Sequence, residues 1–345
     1  LKNLKKIFYK KKILITGHTG FKGTWLSLIF DLLGAKVYGI SKDYPDNFYK
    51  NSKFKNLKSY IFDLSNFKKT KKHISKIKPD FIFHLAAQSI VSKSYSKPLL
   101  TWNSNLLSFL NILEVLRINN KKTNVVMITS DKCYLNVEKK AGYKENEELG
   151  GFDNYSASKA SCELMFKSYF LSYFKRQNKI RLATARAGNV VGGGDWSLNR
   201  LIPDIIKSIA SNKTLKVRSL NSTRPWQHVL EPLSGYISLA VNLKKNRKIS
   251  GQSFNFGPNT KNYKVKEVLN LFKINFKNFK WKQTKKKTFK ESKLLNLNCK
   301  KAEKLIKWRS KMSFKKTIYK TIEWYISYDN NKNITKQQIE EYFNE

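Results

Sequence analysis

Tyr155 and Lys159, in Tyr155-Ser-Ala-Ser-Lys159, are the pair in this chain whose types and spacing most directly suggest chemistry. Four residues apart, they share one face if the segment is helical. A phenol with an ordinary pKa of about 10 is a poor base at neutral pH. An ammonium beside it favours the phenolate and lowers that pKa, which is what removing a proton from a substrate hydroxyl requires. In a chain rich in both residues the spacing alone is a weak signal. Its weight comes from what lies upstream.

Upstream, Asn124-Val-Val-Met-Ile-Thr129 reads as an apolar strand, and Ser130-Asp-Lys-Cys-Tyr134 stands at its carboxyl end. Open α/β sheets bind ligands beyond the carboxyl ends of their strands. Ser130, Asp131 and Lys132 therefore bring a hydroxyl, a carboxylate and an amine towards Tyr155 and Lys159. Nearer the start, Lys12-Ile-Leu-Ile-Thr16 reads as a strand, followed by Gly17-His-Thr-Gly-Phe-Lys-Gly23 and an apolar helical pattern through Leu33. Strand, glycine turn and helix in that order form a phosphate cradle. Gly17 allows the turn, Gly20 the approach of a pyrophosphate, and Gly23 close helix–strand packing, with the helix N-terminus facing the phosphate.

The elements between must position these groups. Val37-Tyr-Gly-Ile40 reads as the second strand. Ser41, Lys42 and Asp43 at its end leave NAD and NADP both open, since an acidic residue favours the first and a basic one the second. Asp63 closes a third strand, either to meet the adenine or to cap the next helix. Pro79 to Gln88 reads as a buried strand ending in Ala86 and Ala87, small enough for a cofactor to pass. His84 reads as a packed strand-end histidine. Thr101 to Asn119 reads as a helix carrying Leu106, Leu107, Leu110, Leu113 and Leu116 at spacings of three and four. Phe109 and Ile112 widen that stripe towards a second buried face, and Asn105 could brace the catalytic backbone. After the sixth strand, Arg181-Leu-Ala-Thr-Ala185, the β–α alternation breaks. Arg186 to Trp196 and Thr223 to Val229 then read as a ligand-lining cap, in which Arg224 suits a diphosphate.

At 345 residues and 41% hydrophobic, the chain is long enough for one large or two ordinary globular domains. No apolar run approaches the ~18 residues of a spanning helix, and the basic N-terminal segment lacks the pattern of a signal peptide. Cys133, Cys162 and Cys299 are too widely spaced for a disulfide framework or metal cluster, which fits a reducing cytoplasm. The 68 basic and 24 acidic residues give +44. Such charge could attract nucleic acid or an anionic membrane. The lysines are scattered, the longest runs (Lys10 to Lys12, Lys285 to Lys287) being three, and no nucleic-acid motif is present. A compositional bias explains them, and neither nucleic acid nor membrane is expected as a partner.

Six motifs together resemble a known family: GHTGFKG at Gly17 to Gly23, HLAAQ at His84 to Gln88, TSDKCY at Thr129 to Tyr134, YSASKA at Tyr155 to Ala160, RAGNVVGGGDW at Arg186 to Trp196 and TRPWQHVLEPL at Thr223 to Leu233. The chain is similar to the extended short-chain dehydrogenase/reductases and, within them, to the CDP-glucose 4,6-dehydratases. The resemblance continues loosely through Leu295 to Ala302 and to Trp324-Tyr325. It implies a Rossmann-type doubly wound parallel sheet with a smaller, mixed C-terminal substrate domain. The expected division is 1–186 for the NAD-binding part, rejoined by a segment around 226–250, and 187–345 mainly for substrate.

The resemblance implies a held NAD and a CDP-glucose substrate converted to CDP-4-keto-6-deoxyglucose, for deoxysugar and lipopolysaccharide synthesis. Tyr155 would take the proton from the carbon 4 hydroxyl, Lys159 would hold the nicotinamide ribose and depress the tyrosine pKa, and Ser130 would hydrogen-bond the forming carbonyl. Asp131 would protonate the departing carbon 6 hydroxyl. Lys132 stands where related dTDP- and GDP-sugar dehydratases carry a glutamate base, a role that demands a neutral amine. Cofactor contacts are expected from Gly17, Thr19, Gly20, Phe21, Lys22, Gly23, Asp63, Leu64, Leu85, Ala86, Ala87 and Asn105, besides Tyr155 and Lys159. Substrate contacts are expected from Gln88, Asn189, Arg200, Arg224 and His228. A homodimer would form through helices 102–119 and 155–175. A nucleotide-sugar 4-epimerase would need Tyr155 and Lys159 but not the Asp131–Lys132 pair, and a non-catalytic Rossmann nucleic-acid binder would need none of them.

Overall fold

The computed structural model describes residues 1–259, 262–284, 294–328, 330 and 333–345. The triple lysine at 285–287 and much of the lysine-rich stretch ending at 290 lie outside these. Seven parallel strands form the central sheet: β1 (Lys12–Thr16), β2 (Lys36–Ser41), β3 (Leu57–Ile61), β4 (Phe81–His84), β5 (Thr123–Ile128), β6 (Ile180–Ala187) and β7 (Ser253–Phe256). Their order is β7-β6-β5-β4-β1-β2-β3. The chain reverses direction across the sheet between β1 and β4, which pair in register from Ile13↔Phe81 to Thr16↔His84. A crevice opens at the carboxyl ends beside such a reversal.

Both faces of the sheet are covered, which explains why its strands are apolar runs rather than alternating ones. On β1, Ile13 and Ile15 join one core with Trp25, Leu26 and Ile29 of α1 (Phe21–Leu32). Leu14 joins the other, with Ile74 of α2 (Phe67–Ile77) and Ile112 of α3 (Ser108–Asn119). The helix α4 (Asn154–Tyr169) adds Cys162 and Phe166 to that second core. The helix α5 (Leu230–Lys245) returns to the first through Leu233, Tyr236 and Ile237. A separate core gathers Ile202, Ile205, Trp226, Val268, Phe272 and Ile318.

The helix expected from Thr101 to Asn119 is interrupted by one π turn, Asn103–Leu107, before α3. Such turns often mark functional sites because they re-aim a side chain. Here Asn105 lies within the turn and is buried.

Three histidines are sealed in the fold: His18, His84 and His228 are at most 1% exposed. Burial lowers their pKa values to about 4, about 3 and about 3, against 6.5 when free. Each stays neutral in the folded chain and would be protonated in the unfolded one, so unfolding gains protons below pH 6.5. Stability is therefore complete above that pH and lost as pH falls. Each histidine contributes a slope of about 1.4 kcal/mol per pH unit, roughly 4 kcal/mol per unit for three. The urea midpoint should drop steeply between pH 6 and pH 4.5; a flat profile there would contradict this account.

Candidate active site

The site is built on a single cleft of about 1120 Å³ at the carboxyl edge of the sheet. All the residues expected to bind or react line it except Asn105 and His228. At one end is the glycine turn after β1. Gly17 has φ +72°, and a Cβ there would stand 2.9 Å from the Ala86 backbone nitrogen. A Cβ on Gly23 would overlap the Gly17 carbonyl oxygen, so this turn tolerates no side chain at either position. The result is a bare backbone cradle at the N-terminus of α1, the geometry that accepts the pyrophosphate of a dinucleotide. The cradle therefore fits an NAD-type cofactor, with Thr19, Phe21, Lys22, Leu64, Leu85 and Ala87 along its path.

At the adenosine end, Asp63 accepts a hydrogen bond from the Ser65 backbone N–H at 2.9 Å and pairs with Lys42 at 2.7 Å. Burial raises its pKa, but Lys42 and Ser65 outweigh that and hold it below the usual carboxylate range. It does not cap α2. Asn66 does, accepting from Lys69 N–H at 3.0 Å. Ser41, at the end of β2, is committed to His18 Nδ1 at 2.9 Å and to the Thr19 N–H at 3.2 Å.

At the reaction end, Ser130 caps a single 3-10 turn, Asp131–Cys133, and accepts the Lys132 N–H at 3.2 Å. Its hydroxyl donates to Asp131 Oδ1 at 2.9 Å, and Asn189 Nδ2 reaches the other carboxylate oxygen at 3.4 Å. Facing them, α4 begins at Asp153, which caps Ser156 N–H at 2.9 Å. That start places Tyr155 and Lys159 on its buried side, 7% and 4% exposed. Burial pushes the Tyr155 phenol up to about 12; a hydrogen-bonding interaction with Ser130 opposes it and Asp131 reinforces it. Burial also lowers the Lys159 pKa. The expected net lowering of the tyrosine pKa is thus corrected: desolvation dominates and outweighs the opposing interactions with Ser130 and Arg200.

Asn105 is buried behind the cleft, not in it. Its Oδ1 accepts the Gln88 N–H at 2.8 Å and its Nδ2 donates to Ser158 Oγ at 2.9 Å, tying the loop after β4 to α4. The side chain of Gln88 bonds Ile90 and Thr101, so it fixes its own loop. His228, expected towards the substrate, is fully buried, with its ring edge-on to Trp25 and its Nδ1 against Leu230 N–H. Arg200 pairs with Asp195 at 2.9 Å and reaches Ser89, while Arg224 lines the cleft from the short strand Thr223–Arg224. Lys216 and Arg218, which motif reading passed over, line it too.

Behind the site is a buried ionic cluster that was not anticipated. Glu163 accepts from Thr129 Oγ1, from Thr184 Oγ1 and Ser253 Oγ at 2.9 Å, and from Arg186 Nη2 at 2.8 Å. Burial raises the Glu163 pKa, but Arg186 and these hydroxyls hold it low. Arg186 also donates to Tyr134 Oη at 2.7 Å. The cluster clamps β5, β6, β7 and α4 directly beneath Ser130 and Lys159. The i, i+4, i+8 spacing of Tyr155, Lys159 and Glu163 was the signal available for it.

Gly188 touches this site through what it lacks. A Cβ there would overlap the Asp131 carboxylate. Gly188→Ala should displace that carboxylate and lower turnover at least tenfold, with substrate affinity unchanged in calorimetry. Unimpaired turnover would mean Asp131 is not needed where it stands.

The sequence profile of the GDP-mannose 4,6 dehydratase family matches residues 14–321. A CDP-glucose 4,6-dehydratase of Salmonella typhimurium is 36% identical over 350 residues, 98% of this chain and 98% of that protein. Among solved structures, the epimerase Mth375 of Methanothermobacter thermautotrophicus superposes with a TM-score of 0.84 at 20% identity, covering 97% of each chain. The dTDP-glucose 4,6-dehydratase of Bacillus anthracis, in complex with NAD, gives 0.75 at 20% identity, covering 94% of this chain and 98% of that one. The two superpositions share the Rossmann-type fold, and the family match spans the glycine cradle, Asp131, Lys132, Tyr155 and Lys159 together. The chain belongs to the 4,6-dehydratase family that the GDP-mannose 4,6 dehydratase profile describes.

Proposed function

We propose that this protein is a CDP-glucose 4,6-dehydratase that turns CDP-glucose into CDP-4-keto-6-deoxyglucose and water. The observation that carries the reading is the Asp131–Lys132 pair sharing one cleft with Tyr155, Lys159 and the glycine cradle. A 4-epimerase needs only the tyrosine and lysine; an acid and a base set side by side serve an elimination. The cytidine nucleotide is supported by the Salmonella relative.

When bound, an NAD-type cofactor supplies the hydride acceptor at carbon 4 and the donor at carbon 6, with no net redox change. The chain's own groups move the protons. Tyr155 takes the proton of the carbon 4 hydroxyl, and Ser130 donates a hydrogen bond to that oxygen as it becomes a carbonyl. Lys159 would hold the ribose of a bound cofactor. The carbonyl acidifies carbon 5, whose proton Lys132 removes as a neutral amine and gives back to carbon 5 after water has left. Asp131 protonates the departing carbon 6 hydroxyl, which leaves as water. Arg200 and Arg224 face the diphosphate, and Asn189 holds Asp131.

The protein would act in the cytoplasm, supplying a deoxysugar for lipopolysaccharide, with residues 1–186 and 226–250 holding the cofactor and the rest mainly the substrate. Leu107, Leu164 and Leu171 are 40%, 61% and 48% exposed on segments 102–119 and 155–175. Such uncovered apolar side chains support a homodimer through those helices. No helix among the described residues is long and apolar enough to cross a membrane. The reading is tested by offering CDP-, dTDP- and UDP-glucose separately without reductant and following the 4-keto product in alkali. CDP-glucose alone should react, and reaction of another nucleotide sugar in its place would refute the nucleotide assignment.

A further inference from the structure

Lys22 is the residue of the glycine turn that phosphate cradling leaves unexplained. It occupies the second position of α1 and lines the cleft, half-buried. Among the described residues its ammonium has no hydrogen-bond or ion-pair partner. Three donors on a compact charge, partly removed from water and unpaired, call for an acceptor from outside the chain.

The neighbours say which acceptor. The charges that act on Lys22 are Arg200, Asp131, Lys159 and Asp195. Two of these, Asp195 and Arg200, belong to a segment that lines the same cleft as the cofactor turn, and they bond each other at 2.9 Å. Asp131 is already served by Ser130 and Asn189. Three cations therefore meet two satisfied carboxylates, leaving a local excess of positive charge. Burial, then Arg200, lowers the Lys22 pKa to about 8, with Asp131 opposing. An anion settled among these groups would raise that pKa again and keep the group charged.

The dinucleotide's phosphate already has the bare backbone of the turn and the helix N-terminus. In the reaction proposed above Asp131 serves the hexose and Arg200 its diphosphate, so an anion settled beside them would be the phosphate that carries the hexose. We propose that Lys22 is a substrate-binding residue whose ammonium hydrogen-bonds the sugar-side phosphate of the nucleotide sugar, where the cofactor turn meets the Asp195–Arg200 segment. This rests on the nucleotide-sugar reading above. It gives the turn a double role, backbone to cofactor and side chain to substrate.

The test compares wild type, Lys22→Met and Lys22→Arg as purified full chains. Calorimetry gives their affinities for CDP-glucose and for CDP, and extraction gives the nicotinamide dinucleotide held per protomer. Lys22→Met should bind CDP-glucose roughly 10- to 100-fold more weakly while keeping its dinucleotide content. Lys22→Arg should recover part of the loss. Unchanged affinity in Lys22→Met, or loss of dinucleotide with affinity intact, would overturn the assignment, the second outcome placing the ammonium on the cofactor's phosphate. Wild-type protein that binds no nucleotide sugar would overturn the underlying reading and this inference with it.

Discussion

Lys132→Met should stop the reaction after carbon 4 has been oxidised. The side chain keeps its length and loses its only basic atom, so the carbon 5 proton has no acceptor and the carbon 6 hydroxyl stays in place. Removing a positioned base costs roughly 10²- to 10⁴-fold in the step it serves, and formation of the 4-keto-6-deoxy product should fall by that amount. The first half of the reaction should survive. Quenching with borodeuteride and weighing the recovered sugar nucleotide should reveal label at carbon 4 with the carbon 6 hydroxyl retained. Normal turnover would remove Lys132 from the mechanism. Absence of both product and label would move it to the first step.

Tyr155→Phe should have an effect at least as large, and earlier. Phenylalanine keeps the ring packing of α4 but offers nothing to accept the carbon 4 proton, so neither label nor product should form at more than about one part in 10² to 10⁴ of the wild-type rate. Binding of CDP-glucose should persist. Burial pushes Tyr155 up to about 12, so the phenolate is the minor form at neutral pH. Its share grows tenfold with each pH unit below that value, and kcat should climb with pH across the neutral range instead of reaching a plateau there. The variant's residual rate should lack that climb. A pH-independent wild-type rate would mean that another group takes the proton.

What could be read from the residues divides by range. The glycine turn, the apolar strands and the Tyr155 to Lys159 spacing are local patterns, and each appears in the fold, most boundaries shifting by a residue or two while the strand expected over Pro79 to Gln88 spans only Phe81–His84. The placement of Ser130 and Lys132 followed from one topological rule about strand ends. Properties set by distant segments were not legible in the same way. Within the π turn at Asn103–Leu107, Asn105 bonds Gln88 and Ser158, 17 and 53 residues away along the chain. The burial of His228 depends on Trp25, and the Glu163–Arg186 cluster draws on β5, β6 and β7 at once. The sign of the Tyr155 shift was misjudged for a related reason. A lysine four residues away is visible in a sequence, whereas the depth at which both are buried is a property of the whole assembled sheet.

The central claim is that one site removes hydrogen from carbon 4 of a CDP-linked glucose and returns it to carbon 6 while losing water between. The most direct measurement uses CDP-glucose deuterated at carbon 4, incubated with the purified protein without added dinucleotide, and reads the product by NMR. Deuterium recovered at carbon 6 of a 4-keto-6-deoxy sugar is the predicted result. Deuterium remaining at carbon 4 of an inverted, still hydroxylated hexose would mean epimerisation and would contradict the account.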